Sequence, residues 1–462
     1  MSADGLARAR QKMHDAGVPP TAVEAFTRLY GLLESGETGI VAERDVTPLT
    51  QVPHLADLDV DEEAGRRALA VTAVIKLNGG LGTSMGMDRA KSLLRVRGER
   101  TFLAVIAEQV LAARASTGAR LPLVLMNSFR TRDDSLAALA AYPDLRVDGL
   151  PLDFLQNREP KLRADDLTPV EWPVDRDLEW CPAGHGDLYV ALYASGTLTA
   201  LLDAGFRYAT VANSDNLGAA PDARIAAWFA GTRAPFAAEV ARRTRADRKG
   251  GHLVVRACDG RIVLRETAQT LPVDAEAAAD IHTHPYFNTN NLWLDLRALA
   301  AELERSGGVL HLPLIRNDKT VDPTDPTSTP VVQIESAMGA AIEVFDGAVM
   351  LEVDRSRFLP VKTTNDLLVL RSDVYRLTGD QRLVGMVDAP YVDLDPAHFK
   401  TIAAFDDRLP VTPSLVGATS LRVQGDWTFG RDVAVVGDAV LIDPGTPSVV
   451  PDGVQVGPAG IA

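Results

Sequence analysis

The sequence has few features of secreted, metal-stapled or nucleic-acid-binding proteins. It contains two cysteines in 462 residues. Cys181 and Cys258 lie far apart in unlike surroundings, which favours neither a disulfide framework nor a zinc site and suggests a reducing compartment. The formal net charge of -15 argues against a protein that coats nucleic acid, because such proteins cluster lysine and arginine. Any anionic ligand must therefore be bound by a local group of donors and cations.

Long apolar runs are also missing. No stretch reaches the roughly 18 consecutive apolar residues of a membrane-spanning helix, and the start, M-S-A-D-G-L-A-R-A-R-Q-K-M, lacks the apolar segment of a secretion signal. Hydrophobic residues make up 46% and charged residues 24%, as in ordinary soluble proteins. We therefore expect a cytoplasmic protein without membrane or nucleic-acid partners, built as one large domain with appendages or as two to three domains.

Short apolar segments alternate with helical patterns between residues 70 and 213. The apolar segments are A-V-T-A-V-I-K-L, L-P-L-V-L-M-N at 121–127 and Y-A-T-V-A-N at 208–213, and the helical ones include F-L-A-V-I-A-E-Q-V-L-A-A-R and G-T-L-T-A-L-L-D-A-G. This alternation predicts an α/β fold with parallel crossover units and a sheet covered on both faces. Ligands of such sheets bind beyond the carboxyl ends of the strands. Three candidate strands end there in Leu77, Asn127 and Asn213.

The two ends of the chain have different periodicities. Near the start, helical spacing of apolar residues predicts a helical region; these residues are Val23, Phe26, Tyr30 and Leu33. Near the other end, two sets recur every six positions: Val423, Phe429, Val435 and Leu441, and Leu421, Trp427, Val433 and Ala439. A six-residue repeat is typical of a stacked parallel β-helix. An antiparallel meander with accidental spacing is the alternative.

A glycine-rich loop interrupts the apolar strand in V-I-K-L-N-G-G-L-G-T-S-M-G-M-D-R-A-K-S-L, residues 74–93. Glycines at a strand end let backbone N–H groups approach an anionic ligand. The P-loop pattern fails because Ala90 precedes Lys91, and the dinucleotide pattern G-x-G-x-x-G misses by one residue. The following K-S-L-L-R-V-R looks extended rather than helical. The loop alone therefore indicates either a nucleotide site or an ordinary turn.

Further motifs follow this loop in order. They are W-C-P-A-G-H-G-D-L-Y at 180–189, A-N-S-D-N-L-G at 212–218, K-G-G at 249–251, F-N-T-N-N-L-W at 287–293, Q-I-E-S-A-M-G-A-A-I at 333–342 and R-S-R-F-L-P-V-K-T-T at 355–364. Together these motifs resemble the UTP-glucose-1-phosphate uridylyltransferase family, also called UDP-glucose pyrophosphorylases, in its eukaryotic-type branch. The resemblance begins near residue 25 and continues to the end of the sequence.

The resemblance implies a Rossmann-like nucleotidyltransferase core with a mixed or parallel sheet and a C-terminal left-handed parallel β-helix. The implied domains are an N-terminal helical region at 1–60, a catalytic domain at 61–388 and the β-helix at 389–462. The implied reaction is reversible and depends on Mg²⁺: UTP and glucose 1-phosphate give UDP-glucose and pyrophosphate. A homo-oligomer formed through the C-terminal segment is a further expectation, since this segment resembles the element through which some family members associate.

The resemblance also implies roles for single residues. The catalytic cations would be Lys91 and Lys362, and Asp215 would hold Mg²⁺ against phosphate oxygens. The nucleotide-binding residues would be Leu77, Asn78, Gly79, Gly80, Gln156 and Gly184, of which the last two read uracil. The residues that bind the sugar phosphate would be His185, Asn213, Ser214, Glu266, Asn288, Thr289 and Asn290.

Several alternatives stay open at this stage. On residue type alone, Lys91 also fits a solvated strand edge and Asp215 an Asx-turn. The stretch Asp88-Arg89-Ala90 replaces the family's usual Lys-Gly-Pro, which moves one cation and adds an acid. Alternative functions are transfer to another sugar 1-phosphate, either N-acetylglucosamine or galactose 1-phosphate, and non-catalytic sensing of UDP-sugars. An NAD-linked oxidoreductase is disfavoured by the glycine spacing.

Overall fold

A computed structural model describes residues 3–244, 247 and 250–461. Its helices are α1 (Ala3–Asp15), α2 (Pro20–Glu34), α3 (Glu62–Ala70), α4 (Phe102–Thr117), α5 (Arg132–Leu139), α6 (Leu188–Ala194), α7 (Thr197–Asp203), α8 (Ala223–Thr232), α9 (Ala275–Ala278), α10 (Leu296–Arg305), α11 (Thr364–Arg371), α12 (Pro396–Phe399) and α13 (Ile402–Arg408). Its strands are β1 (Val46–Pro48), β2 (Thr72–Asn78), β3 (Arg95–Arg97), β4 (Arg100–Thr101), β5 (Leu123–Asn127), β6 (Asp153–Leu155), β7 (Arg158–Pro160), β8 (Leu162–Arg163), β9 (Trp180–Pro182), β10 (Tyr208–Asn213), β11 (Phe236–Arg242), β12 (His252–Arg256), β13 (Ile262–Arg265), β14 (Tyr286–Asp295), β15 (Ile315–Thr320), β16 (Pro330–Glu335), β17 (Val349–Glu352), β18 (Tyr375–Leu377), β19 (Leu383–Gly385), β20 (Tyr391–Leu394), β21 (Ser414–Val423), β22 (Trp427–Phe429), β23 (Ala434–Leu441), β24 (Ser448–Val450), β25 (Gln455–Gly457) and β26 (Gly460–Ile461).

The central sheet is mixed and has the order β1-β12-β14-β10-β2-β5-β6, with β13 beside β12, and with β11 paired to both β14 and β17. Strands β10, β2, β5 and β6 run parallel to one another. Strand β14 is antiparallel to β10 and to β11. The α/β fold with a mixed sheet is therefore confirmed. The three segments predicted as strands are β2, β5 and β10, and β10 has the predicted bounds.

The sheet is covered on both faces, because successive residues of a strand point to opposite sides. Val74 of β2 belongs to a core that includes residues of α3, α4 and α8. Its neighbours Ala73 and Ile75 belong to a second core with residues of α6, α7 and α10. All three side chains are buried, which explains why β2 is an almost continuous apolar run.

The N-terminal helices pack against a small antiparallel sheet of order β15-β16-β8. Their core joins Phe26 and Tyr30 of α2 to Leu162 and Ile334 of that sheet. The predicted helix around residues 23–33 is confirmed as α2. Residues 46–48 leave this helical layer and form β1 of the central sheet. The domain boundaries at residues 60 and 388 stay predictions.

The C-terminal strands form a parallel stack in which β20, β21, β23 and β25 pair in sequence, and β22 pairs with β24. Val423 lies directly opposite Leu441, three six-residue repeats further along the chain, and both are buried. The parallel coil is confirmed and the antiparallel meander is wrong. The left-handed sense of the coil and association through it stay predictions.

Both cysteines are free thiols, Cys181 buried and Cys258 exposed. Among the helices of the described ranges, none is both long enough and apolar enough to cross a bilayer.

Candidate active site

The parallel strands end at a rigid polar edge. Asn78, at the end of β2, is buried, and its Nδ2 donates to Asn127 Oδ1 at 2.7 Å and to Ser135 Oγ at 2.8 Å. Its Oδ1 accepts a hydrogen bond from Ser214 Oγ at 3.0 Å. The Asn78 side chain is thus used within the protein and ties three strand ends together. Asn213 ends β10 directly before Ser214 and pairs with Leu77 in the ladder.

The glycine loop continues from β2 over this edge. A Cβ on Gly79 would lie 2.6 Å from Gln156 Oε1, whereas a Cβ on Gly80 would meet no atom within 4 Å. The backbone N–H of Lys91 donates to Gly80 O at 3.0 Å and closes the loop. Lys91–Leu93 form a short 3-10 turn. The prediction of extended structure after the loop is therefore correct for Arg95–Arg97 and wrong for Lys91–Leu93.

Lys91 and Asp215 form an ion pair beside the end of β10. Nζ lies 2.7 Å from Oδ2, with 17% and 19% of the two side chains exposed. Within the described residues Oδ1 of Asp215 has no hydrogen-bond partner, and no cluster of three or more metal-ligating side chains occurs. A single carboxylate fits Mg²⁺, which is usually bound by one or two carboxylates together with substrate phosphates.

The unusual Asp88-Arg89-Ala90 stretch leaves this pair in place. Asp88 and Arg89 are exposed, 94% and 64% of their side chains, and Arg89 Nε lies 3.8 Å from Asp88 Oδ1. Ala90 is buried and has φ of -52°, a value that proline also adopts. The backbone before Lys91 therefore has a shape compatible with proline, although the residue is alanine.

Gln156 and Gly184 lie together, as the uracil-reading hypothesis requires. Gln156 follows β6, and its Nε2 donates to Gly184 O at 2.9 Å. This bond directs the amide, so that Oε1 faces the glycine loop at Gly79. Gly184 has φ of 77° and ψ of 172°, and a Cβ there would lie 2.8–2.9 Å from the backbone of Ser336. Only glycine fits this position without displacing Ser336.

His185 presents a neutral imidazole. The backbone N–H of Met338 donates to Nδ1 at 3.0 Å, so the ring proton belongs on Nε2. Burial lowers the pKa of His185 from its ordinary 6.5 to about 4. The residue therefore offers an uncharged Nε2–H donor at neutral pH.

Asn288, Thr289 and Asn290 lie on a bulge of β14. The ladder register shifts between Glu239 and Val240 of β11, and Asn290 has φ of 57°. Asn288 Nδ2 donates to Asn290 Oδ1 at 3.0 Å, whereas Thr289 is buried and donates its hydroxyl to Glu239 O at 2.6 Å. The structure thus brings the two asparagines together and turns the Thr289 hydroxyl inward.

Glu266 and Lys362 lie near this bulge. Burial raises the pKa of Glu266, and the charge of Lys362 opposes that rise. Lys362 is exposed, and its Nζ lies 5.5 Å from the ring centroid of Phe287. A Cβ on Gly251 would lie 2.6 Å from Glu266 Oε1, so the K-G-G segment contacts the same region. Lys249 of that motif lies outside the described residues.

The segment before Lys362 is tied to the end of β10. Asn216 Oδ1 accepts a hydrogen bond from the Leu359 N–H at 2.9 Å, and Asn216 forms an isolated bridge with Pro360. Asp215 contacts Lys91, and the next residue contacts the segment that leads to Lys362. Both lysine-bearing segments therefore meet at the carboxyl end of β10. Convergence of their ammonium groups on one phosphorus atom stays a prediction.

Sequence patterns did not indicate the buried charged residues below the site. Lys76 of β2 is 1% exposed and donates to Ala219 O at 2.8 Å, and burial lowers its pKa to about 7. Arg357 forms two hydrogen bonds to Glu239, from Nε at 2.7 Å and from Nη2 at 2.8 Å. A lysine within the apolar run V-I-K-L was the available signal for Lys76. The Glu239–Arg357 pair joins residues 118 positions apart, which no local pattern indicates.

Comparisons with known proteins show which family the chain belongs to. The model of a family described as UTP--glucose-1-phosphate uridylyltransferase matches residues 23–435. The chain is 38% identical over 443 residues to the UTP--glucose-1-phosphate uridylyltransferase of Solanum tuberosum, covering 93% of this chain and 90% of that protein. It is 39% identical over 378 residues to the Saccharomyces cerevisiae protein of the same name, covering 81% and 74%.

Solved structures are similar over nearly the whole chain. A crystal structure of a UDP-glucose pyrophosphorylase mutant from Leishmania major, in complex with UDP-glucose, has a TM-score of 0.93 at 39% identity and covers 99% of both chains. The structure of the UDP-glucose phosphorylase from Trypanosoma brucei has a TM-score of 0.90 at 40% identity and covers 98% of this chain and 100% of that one. The chain therefore belongs to the UTP-glucose-1-phosphate uridylyltransferase family.

Proposed function

We propose that this protein transfers the uridylyl group of UTP to glucose 1-phosphate. A phosphate oxygen of glucose 1-phosphate attacks the α-phosphorus, the bond from that phosphorus to the bridging oxygen breaks, and pyrophosphate leaves with the electron pair. The observation that carries the proposal is that two contacts lie at one edge of the sheet, the hydrogen bond from Gln156 to Gly184 O and the ion pair of Lys91 with Asp215.

Recognition of uracil follows from the fixed orientation of the Gln156 amide. Because Nε2 already donates to Gly184 O, Oε1 is the atom left to meet the base. Uracil carries an N–H at N3, whereas cytosine has only an acceptor there. A cytosine would place its N3 acceptor against the Oε1 acceptor, and a polar group left without a partner on binding is how a site rejects a wrong ligand.

The phosphates would meet the glycine loop and Lys91. The open space above Gly80 lets a phosphate approach the backbone, and Lys91 would balance the charge that develops on pyrophosphate. Asp215 is the residue that would hold Mg²⁺, through the carboxylate oxygen that has no partner among the described residues. When bound, Mg²⁺ would neutralise phosphate charge and polarise the phosphoryl oxygens.

The sugar phosphate would lie between β10 and the bulge of β14. The His185 Nε2–H suits a phosphate oxygen, and Lys362 would reduce the repulsion between the two reacting phosphates. Glu266, Asn288 and Asn290 supply the acceptors and donors that sugar hydroxyls require. Asn213 and Ser214 would line the same side. Thr289 would contribute indirectly, because its hydroxyl donates to Glu239 O and so attaches the bulge of β14 to β11.

The test is release of pyrophosphate from UTP, glucose 1-phosphate and Mg²⁺ by the purified protein. Lys362→Ala should lower turnover by about 10²- to 10³-fold, as expected for a group that stabilises transition-state charge. Arg297→Ala is the matched control, because Arg297 is also an exposed cation and follows Asp295, which pairs with Tyr208 at the end of β10 remote from the site, so turnover should be unchanged. A folded wild-type protein that releases no pyrophosphate would refute the proposal.

Two further measurements separate the alternative functions. Competition of glucose 1-phosphate with N-acetylglucosamine 1-phosphate and galactose 1-phosphate identifies the preferred acceptor. Binding of UDP-glucose without turnover would instead favour a sensor. Cytoplasmic localisation and a homo-oligomer stay predictions.

A further inference from the structure

The two uracil-reading residues lie on separate segments joined by a short ladder. Strand β7 pairs with β9 in the register Arg158 to Pro182, and continuing this register places Gln156 opposite Gly184. The Gln156 segment is attached to the sheet through its N–H, which donates to Asn127 O at 2.7 Å. The Gly184 segment is attached elsewhere, since the Gly186 N–H donates to Ser336 O at 2.8 Å. The readers are joined directly by the bond from Gln156 Nε2 to Gly184 O, and their separation also depends on a further link between the two segments.

Asp187 and Asn157 form that link. The backbone N–H of Asn157 donates to Asp187 Oδ2 at 2.6 Å, and its Nδ2 donates to Oδ1 at 2.8 Å. Both carboxylate oxygens are therefore engaged by one residue, which fixes distance and orientation together. Asp187 is 6% exposed, so solvent competes little for these bonds.

Asp187 lies at a helix capping position but does not cap its helix. Asp187 precedes α6 at the capping position, where an aspartate ordinarily accepts hydrogen bonds from its own helix. Its side chain makes no such bond. By contrast, Asp295 occupies the same position before α10, is 8% exposed, and accepts from the N–H groups of Arg297 and Ala298. The Asp187 carboxylate is turned away from its helix and toward Asn157.

A cavity lies beside the contact between Asp187 and Asn157. A cavity lined by Ala183, Gly186, Asn157 and Asp187 lies beneath the loop that carries Gly184. Close packing stabilises a loop, and a neighbouring void lets it shift. Without the carboxylate, the loop borders a space into which it can shift.

We propose that Asp187 is a positioning residue for base selection: by holding Asn157 it sets the separation between Gln156 and Gly184, so discrimination between uracil and cytosine depends on it although it does not touch the nucleotide. The inference rests on the proposed function, since it deepens the assignment of the uracil readers.

The test compares steady-state kinetics with UTP and CTP. Asp187→Ala removes both acceptors and should raise KM for UTP by about tenfold, the value of roughly one hydrogen bond. It should lower the UTP-to-CTP ratio of kcat/KM by at least the same factor, with kcat for UTP and KM for glucose 1-phosphate within about threefold of wild type. Asp187→Asn should restore most of the ratio, because an amide accepts from the Asn157 N–H and donates to Asn157 Oδ1 once that amide is flipped.

Two variants keep the test decisive. Asp295→Ala removes an equally buried capping aspartate and should lower thermal stability without changing the UTP-to-CTP ratio. Asn157→Ala, at a partly exposed position, should change the ratio in the same direction as Asp187→Ala even if the latter does not fold. An unchanged ratio in folded Asp187→Ala or in Asn157→Ala overturns the inference, as does an equal change in Asp295→Ala. Failure of the proposed function is separate, because wild type would then turn over neither nucleotide.

Discussion

The ammonium nitrogen of Lys91 lies 2.7 Å from Oδ2 of Asp215, so without substrate each group is the other's counter-charge. The two come from distant parts of the chain, and both side chains keep a fraction of their surface exposed. The pair therefore holds both side chains in place beside the end of β10.

We expect Lys91→Ala to lower kcat by about 10²- to 10³-fold, because the charge on leaving pyrophosphate loses its cation. Lys91→Arg should recover part of the activity, since it restores charge with a different shape. Pyrophosphate release at saturating substrates measures the effect. Lys319→Ala, which removes an exposed lysine on β15, should leave kcat unchanged. A Lys91→Ala enzyme with wild-type kcat would contradict the assigned role.

We expect Gly184→Ala to be far more damaging than Gly196→Ala. Both glycines have positive φ, 77° and 74°, but only Gly184 has the Ser336 backbone within 3 Å of an added Cβ. Gly196→Ala should cost about 1–2 kcal/mol of stability from backbone strain alone and leave kcat/KM for UTP unchanged. Gly184→Ala should lower kcat/KM for UTP by more than about tenfold, because the loop must leave Ser336. Comparable kinetics in the two folded variants would show that this packing is unimportant.

The strands at the site were predictable because their residues are apolar on both faces. Strand β10 has the predicted bounds, and the buried series that contains Val423 and Leu441 gave the parallel coil. Local patterns sufficed in both cases. A strand buried on both faces requires apolar residues along its length, and a stacked coil requires an apolar residue at each repeat.

The orientation of residues on β14 was not predictable. The register shift opposite Glu239 is a long-range property of the β11–β14 ladder, and it turns the hydroxyl of Thr289 inward while leaving Asn288 and Asn290 together. A one-residue irregularity reverses which face a side chain occupies. The same limit applies to the Asn157–Asp187 link, whose contact depends on the pairing of β7 with β9.

We expect Arg357→Ala to destabilise the protein by about 3–5 kcal/mol, because it leaves the buried Glu239 carboxylate without its charged partner. The exposed fractions of these two side chains are 10% and 1%. Urea unfolding monitored by fluorescence measures the change. Arg316→Ala breaks the exposed pair with Asp318 and should cost at most about 1 kcal/mol. Equal losses in the two variants would mean that the buried pair contributes no more than a surface one.

The neutral His185 predicts how stability varies with pH. Its folded-state pKa, about 4, lies below the ordinary value of 6.5, so the unfolded chain binds the additional proton between these values. The corresponding stability is present above pH 6.5 and is lost as pH falls toward 4. His185→Gln cannot take up that proton and should lose less stability than wild type between pH 7 and about pH 4.5, measured by urea unfolding. His14→Gln, which removes an exposed histidine of α1, should follow the wild-type curve. Identical curves for wild type and His185→Gln would show that His185 is not held neutral by burial.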